Sequence, residues 1–224
     1  MMIFAAFPTL LFRPIGGAAA AFACAIVLAG CASVQEFPAS QARSISLAAG
    51  SLESEGIAFI TPSTATGREE EKQAVALIFS EVMKRERPGV RVVALPESLS
   101  AINKADLAEA YKRMYDDHRD TGLFKREMLE QVGRVTRSRY LAQIQLQEFR
   151  EEAKERFGTF GIRIVETRIA RVRLFLQIWD SLDGAIAWEG MEEIVYSHER
   201  INEEPVTFQK AIDRTAELLV RKMP

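Results

Sequence analysis

Apolar residues recur along this chain with two different periods, and the change of period separates predicted helices from predicted strands. Residues 57–61 and 90–95 are short apolar runs, and between them, over residues 69–87, apolar positions recur every three or four residues. This order predicts a strand, a helix and a second strand, with the strands paired in parallel through a right-handed crossover. Two further helical patterns follow at residues 104–116 and 124–136.

Beyond residue 139 the period becomes two. Residues 140–147 and 168–180 alternate between two kinds of side chain, and the turn signal Ser181-Leu182-Asp183-Gly184 predicts a hairpin that returns over residues 185–196. A final helix is predicted from Pro205 onward. The predicted fold class is therefore α/β (α+β), a mixed β-sheet of about five strands covered by helices, in the order β-α-β-α-α-β-β-β-α.

The alternation also assigns side chains to faces. One alternating set in residues 168–180 is wholly apolar and is expected to face the core, while the other set is polar and aromatic. The polar and aromatic residues of 168–180 and the alternating glutamines of 140–147 should lie together on the opposite face of the sheet. That face is either covered by the N-terminal segment or the last helix, or free to bind a partner. This possible partner surface comprises Gln143, Gln145, Gln147, Arg171, Arg173, Phe175 and Trp179.

The N-terminus has the pattern of an export signal. Arg13 is the only charged residue before Cys31, and a thirteen-residue apolar run follows at positions 18–30. As a helix this run would span about 20 Å, which is shorter than the ~30 Å hydrocarbon core of a bilayer. Residues 1–30 are therefore predicted to be a signal peptide.

The end of that run reads Leu28-Ala29-Gly30-Cys31 and resembles the lipobox of bacterial lipoproteins. The resemblance implies cleavage between Gly30 and Cys31 and alkylation of the Cys31 thiol by diacylglycerol. Ala32 is similar to the residue found in lipoproteins that are not retained at the inner membrane. That implies an outer-membrane protein, attached to the membrane through its lipid anchor, with its domain facing the periplasm. An ordinary signal peptide with a chance cysteine is the alternative.

After removal of the signal peptide, the remaining chain is predicted to have two parts. Residues 31–55 are rich in Ser, Ala and Gln and are predicted to be a flexible tether, and residues 56–224 a single periplasmic α/β domain. Cys24 would leave with the signal peptide and Cys31 would be alkylated. The mature chain would then contain no free thiol for a disulfide, a nucleophile or a thiolate metal site.

Composition narrows the function classes. The chain is 48% hydrophobic and 27% charged, with a formal net charge of −2, as expected for a globular protein. This balance gives no electrostatic footprint for nucleic-acid binding.

The sequence shows no constellation typical of catalysis, and we predict no enzyme activity, metal or cofactor. His118 lies among acidic residues, but a solvated helix end explains that cluster, and His198 is far away in the sequence. Asp180 and Asp183 flank the predicted hairpin turn, where turn chemistry accounts for both carboxylates.

A family resemblance appears in the predicted hairpin. Residues 172–180, Asp183-Gly184 and Ala187-Trp188-Glu189 resemble a hairpin common in periplasm-facing lipoproteins, whose domain is similar to the N-terminal domain of TolB and the core of CsgG. The resemblance implies a non-catalytic binding or assembly module that contacts another envelope protein or its own copies.

Two other functions remain open from the sequence. A subunit of an oligomeric outer-membrane secretion pore resembling CsgG is the alternative, and a periplasmic hydrolase is a third possibility. Residues 150–167, the only insertion placed to supply a lipid-facing hairpin, begin with a highly charged run and contain one short apolar alternation.

Overall fold

The computed structural model describes residues 35–64, 69–159, 162–200 and 207–224. These residues belong to one compact unit, residues 34–224. The predicted signal peptide and Cys31 lie outside the described residues.

The described residues form seven strands and six helices. The strands are β1 (Gln35–Ser44), β2 (Ile57–Phe59), β3 (Ser63–Thr64), β4 (Val92–Val93), β5 (Tyr140–Thr159), β6 (Ile162–Asp180) and β7 (Ile186–Arg200). The helices are α1 (Ser51–Glu55), α2 (Glu69–Glu86), α3 (Leu95–Lys104), α4 (Ala108–Thr121), α5 (Arg126–Thr136) and α6 (Phe208–Val220).

One mixed sheet organises these elements. Its strand order is β1-β7-β6-β5-β2-β4, and β3 also pairs with β5. β2 is parallel to β4 and β5, as the strand–helix–strand pattern predicted, whereas β5, β6, β7 and β1 pair antiparallel in turn. The mixed α+β class is confirmed, although the described sheet has seven strands where about five were expected.

The two faces of the sheet are covered differently. On the first face, α2 and α6 pack over an apolar surface that includes the fully buried Leu174 and Ile178. On the second face, residues of α3, α4 and α5 pack over Leu141 and Trp179, near the start of β5 and the end of β6. The alternation in residues 168–180 therefore identified the core-facing set correctly.

The segment predicted as a flexible tether is ordered from Gln35 onward. Residues Gln35–Ser44 form the edge strand β1 along β7, and Leu47 and Leu52 are buried in the core. The prediction was wrong because an edge strand needs backbone hydrogen bonds more than buried side chains. Its described side chains, from Ala39 to Ser44, are exposed.

A helix replaces part of the second predicted strand. The strand is only Val92–Val93, and α3 begins at Leu95 with Pro96 in its first turn. Proline is well tolerated there, since the first helical N–H groups have no partner within the helix. The Glu97 carboxylate accepts a hydrogen bond of 3.0 Å from the backbone N–H of Ala94, which stabilises the helix start.

Residues 150–167 are not an insertion between strands. β5 extends to Thr159 and β6 begins at Ile162, and the two strands pair antiparallel over residues 150–159 and 162–171, which we call the arm. Its pairing has register shifts between Glu155 and Phe157 and between Phe157 and Gly158. Sequence alternation missed the arm because charged residues occupy both alternating sets of positions.

Candidate functional site

The second face of the sheet becomes open where the helices end. On this part of the face, the central row consists of Gln145, Phe175 and Met191, which pair across β5, β6 and β7. All three residues are half-buried. We call the half-buried and exposed residues of this region the open face.

Charged residues of alternating sign form the next part of the open face. Nη2 of Arg173 donates to the Glu193 carboxylate at 2.7 Å and Nε at 2.9 Å. Nη1 of Arg173 lies 4.0 Å from Glu148, and Nε of Arg171 lies 3.7 Å from Glu193. The hydrogen bonds that Arg173 donates to the Glu193 carboxylate raise the pKa of Arg173 above its usual value. Arg173 of β6 is therefore a permanently charged link between a carboxylate of β5 and a carboxylate of β7, the strands on either side of it.

We call the charged residues Glu148, Arg171, Arg173 and Glu193 the ladder. A β-bulge determines which residues of β5 belong to it. The register shifts between Leu146 and Glu148, so Gln147 has no direct partner and Glu148 lies opposite Arg173. An extra residue in one strand reverses the alternation beyond it. For this reason sequence analysis missed Glu148. It missed Glu193 because the candidate surface was drawn from residues 140–147 and 168–180 only, whereas Glu193 lies in β7.

Two residues of the predicted partner surface are not on the open face. Trp179 is 2% exposed and packs edge-on against Phe124, with ring centroids 5.2 Å apart, and Gln143 is 4% exposed. The segment from α4 to α5 covers this end of the second face, in place of the N-terminal segment or the last helix that the sequence offered as alternative covers. The candidate surface is therefore reduced to Gln145, Arg171, Arg173 and Phe175, with Gln147 at the bulge.

A cleft of about 520 Å³ lies where the covered part of the second face meets the open face. Gln143 and Gln145 of β5 line it, together with Tyr115 and His118 of α4 and the residues that follow β2. Crevices at the carboxyl ends of parallel strands are common ligand sites.

Neutral hydrogen-bonding groups make up most of the cleft lining, which also includes the cations Lys72 and Arg119. The Tyr115 hydroxyl donates to the Thr61 carbonyl at 2.8 Å and lies 3.2 Å from the Tyr111 hydroxyl, which accepts a hydrogen bond from the Thr61 N–H at 2.9 Å. Burial raises the pKa of the Tyr115 hydroxyl well above its usual value. Tyr115 therefore stays protonated and links α4 to the segment that follows β2.

His118 also has a structural environment. Its ring stacks on Phe124 with centroids 4.1 Å apart, and burial lowers the pKa of its imidazole. The neighbouring carboxylates are paired with cations, Asp116 with Arg119 at 3.0 Å and Asp117 with Lys125 at 2.6 Å. Among the described residues, no group of three or more His, Cys, Asp or Glu side chains could hold a metal ion. His198 lies in β7, and its side chain is not among those described.

The two turn carboxylates have the structural roles that the sequence indicated. Asp180 pairs with Arg139 at 2.8 Å and accepts a hydrogen bond from the Leu182 N–H at 3.0 Å. Asp183 accepts one from the Ala185 N–H at 2.8 Å. Both carboxylates thus hold the β6–β7 turn.

Comparison with known proteins gives distant structural likenesses. No family model and no curated protein matches the chain. Among solved structures, it is similar to the PelC dodecamer from Paraburkholderia phytofirmans, with a TM-score of 0.45 and 12% identity over 81% of this chain and 95% of that chain. It is also similar to the lipoprotein GNA1162 from Neisseria meningitidis, with a TM-score of 0.40 and 12% identity over 75% of this chain and 96% of that chain. At these values the likenesses carry no conclusion about function, and the resemblance to TolB and CsgG stays a prediction.

Proposed function

We propose that this chain is a lipid-anchored envelope protein whose periplasmic domain is a non-catalytic assembly module that binds further copies of itself. The observation that carries the proposal is the open face. It combines the half-buried Phe175 with a ladder of Glu and Arg, and none of these residues belongs to the helix-covered cluster of the second face.

The composition of the open face suits an interface between identical chains. A two-fold interface brings one patch against itself, so its charges must be self-complementary. Glu148 and Glu193 alternate with Arg171 and Arg173 across three strands, and a second copy can match them after rotation. Arg and aromatic residues are also enriched at the energetic centres of protein interfaces.

The ladder contributes little to folding by itself. Arg171 and Arg173 have side-chain exposures of 48% and 36%, and ion pairs this exposed are typically worth about 0–1 kcal/mol. Its carboxylates and guanidinium groups can therefore exchange partners within the chain for partners in another copy at small cost.

The anchor is the second part of the proposal. The lipobox-like Leu28-Ala29-Gly30-Cys31 supports lipidation of Cys31, and Ala32 supports delivery to the outer membrane. No helix among the described residues is long and apolar enough to cross a membrane. Mass spectrometry of the membrane fraction tests the anchor: Cys31 should carry a diacylglyceryl group and be the first residue, and Cys31→Ser should remain uncleaved. An unmodified Cys31 in a protein cut elsewhere would contradict lipidation.

A matched pair of charge reversals tests the open face. Arg173→Glu places a third carboxylate beside Glu148 and Glu193 and should weaken crosslinking between copies and shift the domain to smaller species in light scattering. Arg126→Glu is the control, because Arg126 pairs with Glu130 at 2.8 Å on α5, away from the open face.

The two charge reversals also distinguish self-association through the open face from an interface elsewhere and from binding of a different protein. Equal association of both variants and the unaltered domain would place the interface elsewhere. A domain that is monomeric throughout but is captured by another envelope protein through Arg173 would replace the second copy with a different partner.

A pore subunit remains the alternative function, and the length of the arm is the observation that favours it. β5 and β6 have 20 and 19 residues, more than the roughly 9–11 that a spanning strand needs. Against it, Arg150, Glu152 and Lys154 occupy one alternating set and Glu151 and Glu155 the other, which leaves no uninterrupted apolar set for lipid. Ion conductance across a planar bilayer by the assembled protein would favour the pore.

A further inference from the structure

The strand register places the N-terminal end of β1 and the end of the arm at the same end of the sheet. Gln35 pairs with Ser197 of β7, Ser197 with Ile169 of β6, and Ile169 with Glu152 of β5. From that row the arm continues beyond the start of β1. The β6–β7 turn, which contains Leu182, lies at the opposite end of the sheet.

The arm extends further than the chain before β1 can reach. From Glu152 to Thr159 there are seven residues, which at about 3.3 Å each extend about 23 Å. Cys31 is four residues before Gln35, and fully extended chain covers at most about 14 Å over that length. When the arm is aligned with the membrane normal, its end therefore lies at least about 9 Å deeper than Cys31.

The residues change character toward the end of the arm. Residues 150–156 are almost all charged, whereas the last three residue pairs are Phe157 with Val165, Gly158 with Arg163, and Thr159 with Ile162. These pairs contain three large apolar residues and one charged residue. β7 ends at Arg200, opposite Glu166, so beyond this pair the described part of the sheet consists of β5 and β6 alone. We call residues 157–159 and 162–165 the arm tip.

We propose that the arm tip inserts into the headgroup region of the bilayer that holds the lipid anchor. This inference rests on the proposed lipidation of Cys31. Apolar and aromatic residues of surface-bound segments enter a bilayer by about 5–10 Å, which matches the calculated overreach. Arg156 and Arg163 lie beside the apolar residues in sequence, where cations are attracted by anionic headgroups. The anchor and the tip together hold the domain at two points.

Tryptophan placed at the tip tests the contact directly. The processed full-length lipoprotein, as Phe157→Trp and separately as Ile162→Trp, is reconstituted into phosphatidylethanolamine–phosphatidylglycerol vesicles whose acyl chains carry bromine. Leu182→Trp is the control, because Leu182 is 57% exposed in the turn at the opposite end of the sheet. The native Trp179 and Trp188 are 2% and 1% exposed and supply a constant background.

The expected result is a blue shift and bromine quenching of the tip tryptophans, with neither effect at position 182. Protein that floats with the vesicles while neither tip tryptophan is quenched would overturn the tip contact and leave the anchor intact. Quenching at position 182 would mean that the opposite end faces the membrane, which also overturns it. Failure to float with the vesicles would overturn the anchor and the tip contact with it.

Discussion

The two faces of the sheet share the same central strands but have different surroundings. On the first face, Leu174 and Ile178 are wholly buried beneath helices. On the second, alternate residues of the same strand run from the buried Trp179 through the half-buried Phe175 and Arg173 to the exposed Arg171. The first face therefore carries most of the stability, while the open part of the second is free to make contacts.

The largest expected difference between the faces concerns neighbouring apolar residues of β6. Leu174→Ala should lower the free energy of unfolding by about 2–5 kcal/mol, because it removes packed methyl groups and leaves a cavity. Phe175→Ala should cost clearly less, because the Phe175 side chain is only partly buried and its removal leaves no enclosed cavity. Denaturant unfolding of the mature domain measures both, and equal losses would mean that the open face is covered in solution.

A smaller difference in the free energy of unfolding is expected when two ion pairs of β7 are broken in turn. Glu192 is fully buried and pairs with Lys222, which also contacts Ser40 of β1, whereas Glu193 pairs with Arg173 on the open face. Lys222→Met should cost about 2 kcal/mol, because it leaves a buried carboxylate without its cation; a third of the lysine side chain is exposed, which moderates the loss. Arg173→Met should cost only about 0–1 kcal/mol.

A double variant sharpens this comparison. Glu192→Leu combined with Lys222→Met removes the carboxylate together with its cation, and most of the stability lost in Lys222→Met should return. Thermal unfolding can follow all three variants. A double variant as unstable as Lys222→Met alone would show that the lysine acts through packing instead of charge.

The smallest expected effect lies at the boundary between the covered and open parts of the second face. Because burial lowers the pKa of His118, the unfolded chain binds a proton there more readily than the folded chain does. Its contribution to stability is present above about pH 6.5 and is lost as the pH falls through the lower folded-state pKa. His118→Phe keeps an aromatic ring against Phe124 and removes the titration.

The measurement is the thermal midpoint at pH 7.5 and pH 5.5. Acidification should lower the midpoint of the unaltered domain more than that of His118→Phe, because the carboxylates are common to both proteins. An identical drop in the two proteins would contradict a lowered pKa for His118.

Local patterning predicted those parts of the fold in which side chains determine the structure. The apolar set containing Leu174 and Ile178 was assigned to the core, and the parallel pairing of β2 and β4 followed from the pattern around α2. The element that covers Trp179 was not predicted, because that cover depends on where the α4–α5 segment packs, which no alternation within β6 records. Glu148 was missed because one bulge reverses the pattern beyond Leu146.

The edge strand shows a different limit of sequence patterns. Residues 35–44 have no apolar periodicity, and their conformation is set by the backbone of β7. The arm likewise follows from continued backbone pairing through a charged segment. The side-chain pattern gave no signal for either, whereas the lipobox-like motif at Cys31 is a local pattern and could be found from sequence alone.

The pairing of β1 with β7 has a mechanical consequence. A load applied to Gln35 along the axis of β1 pulls away from the last residue of the strand, Ser44. In that direction the ten residue pairs between β1 and β7 are sheared together, whereas a pull from Ser44 across the sheet would peel them apart one after another. The edge strand is thus oriented to bear a load along its length.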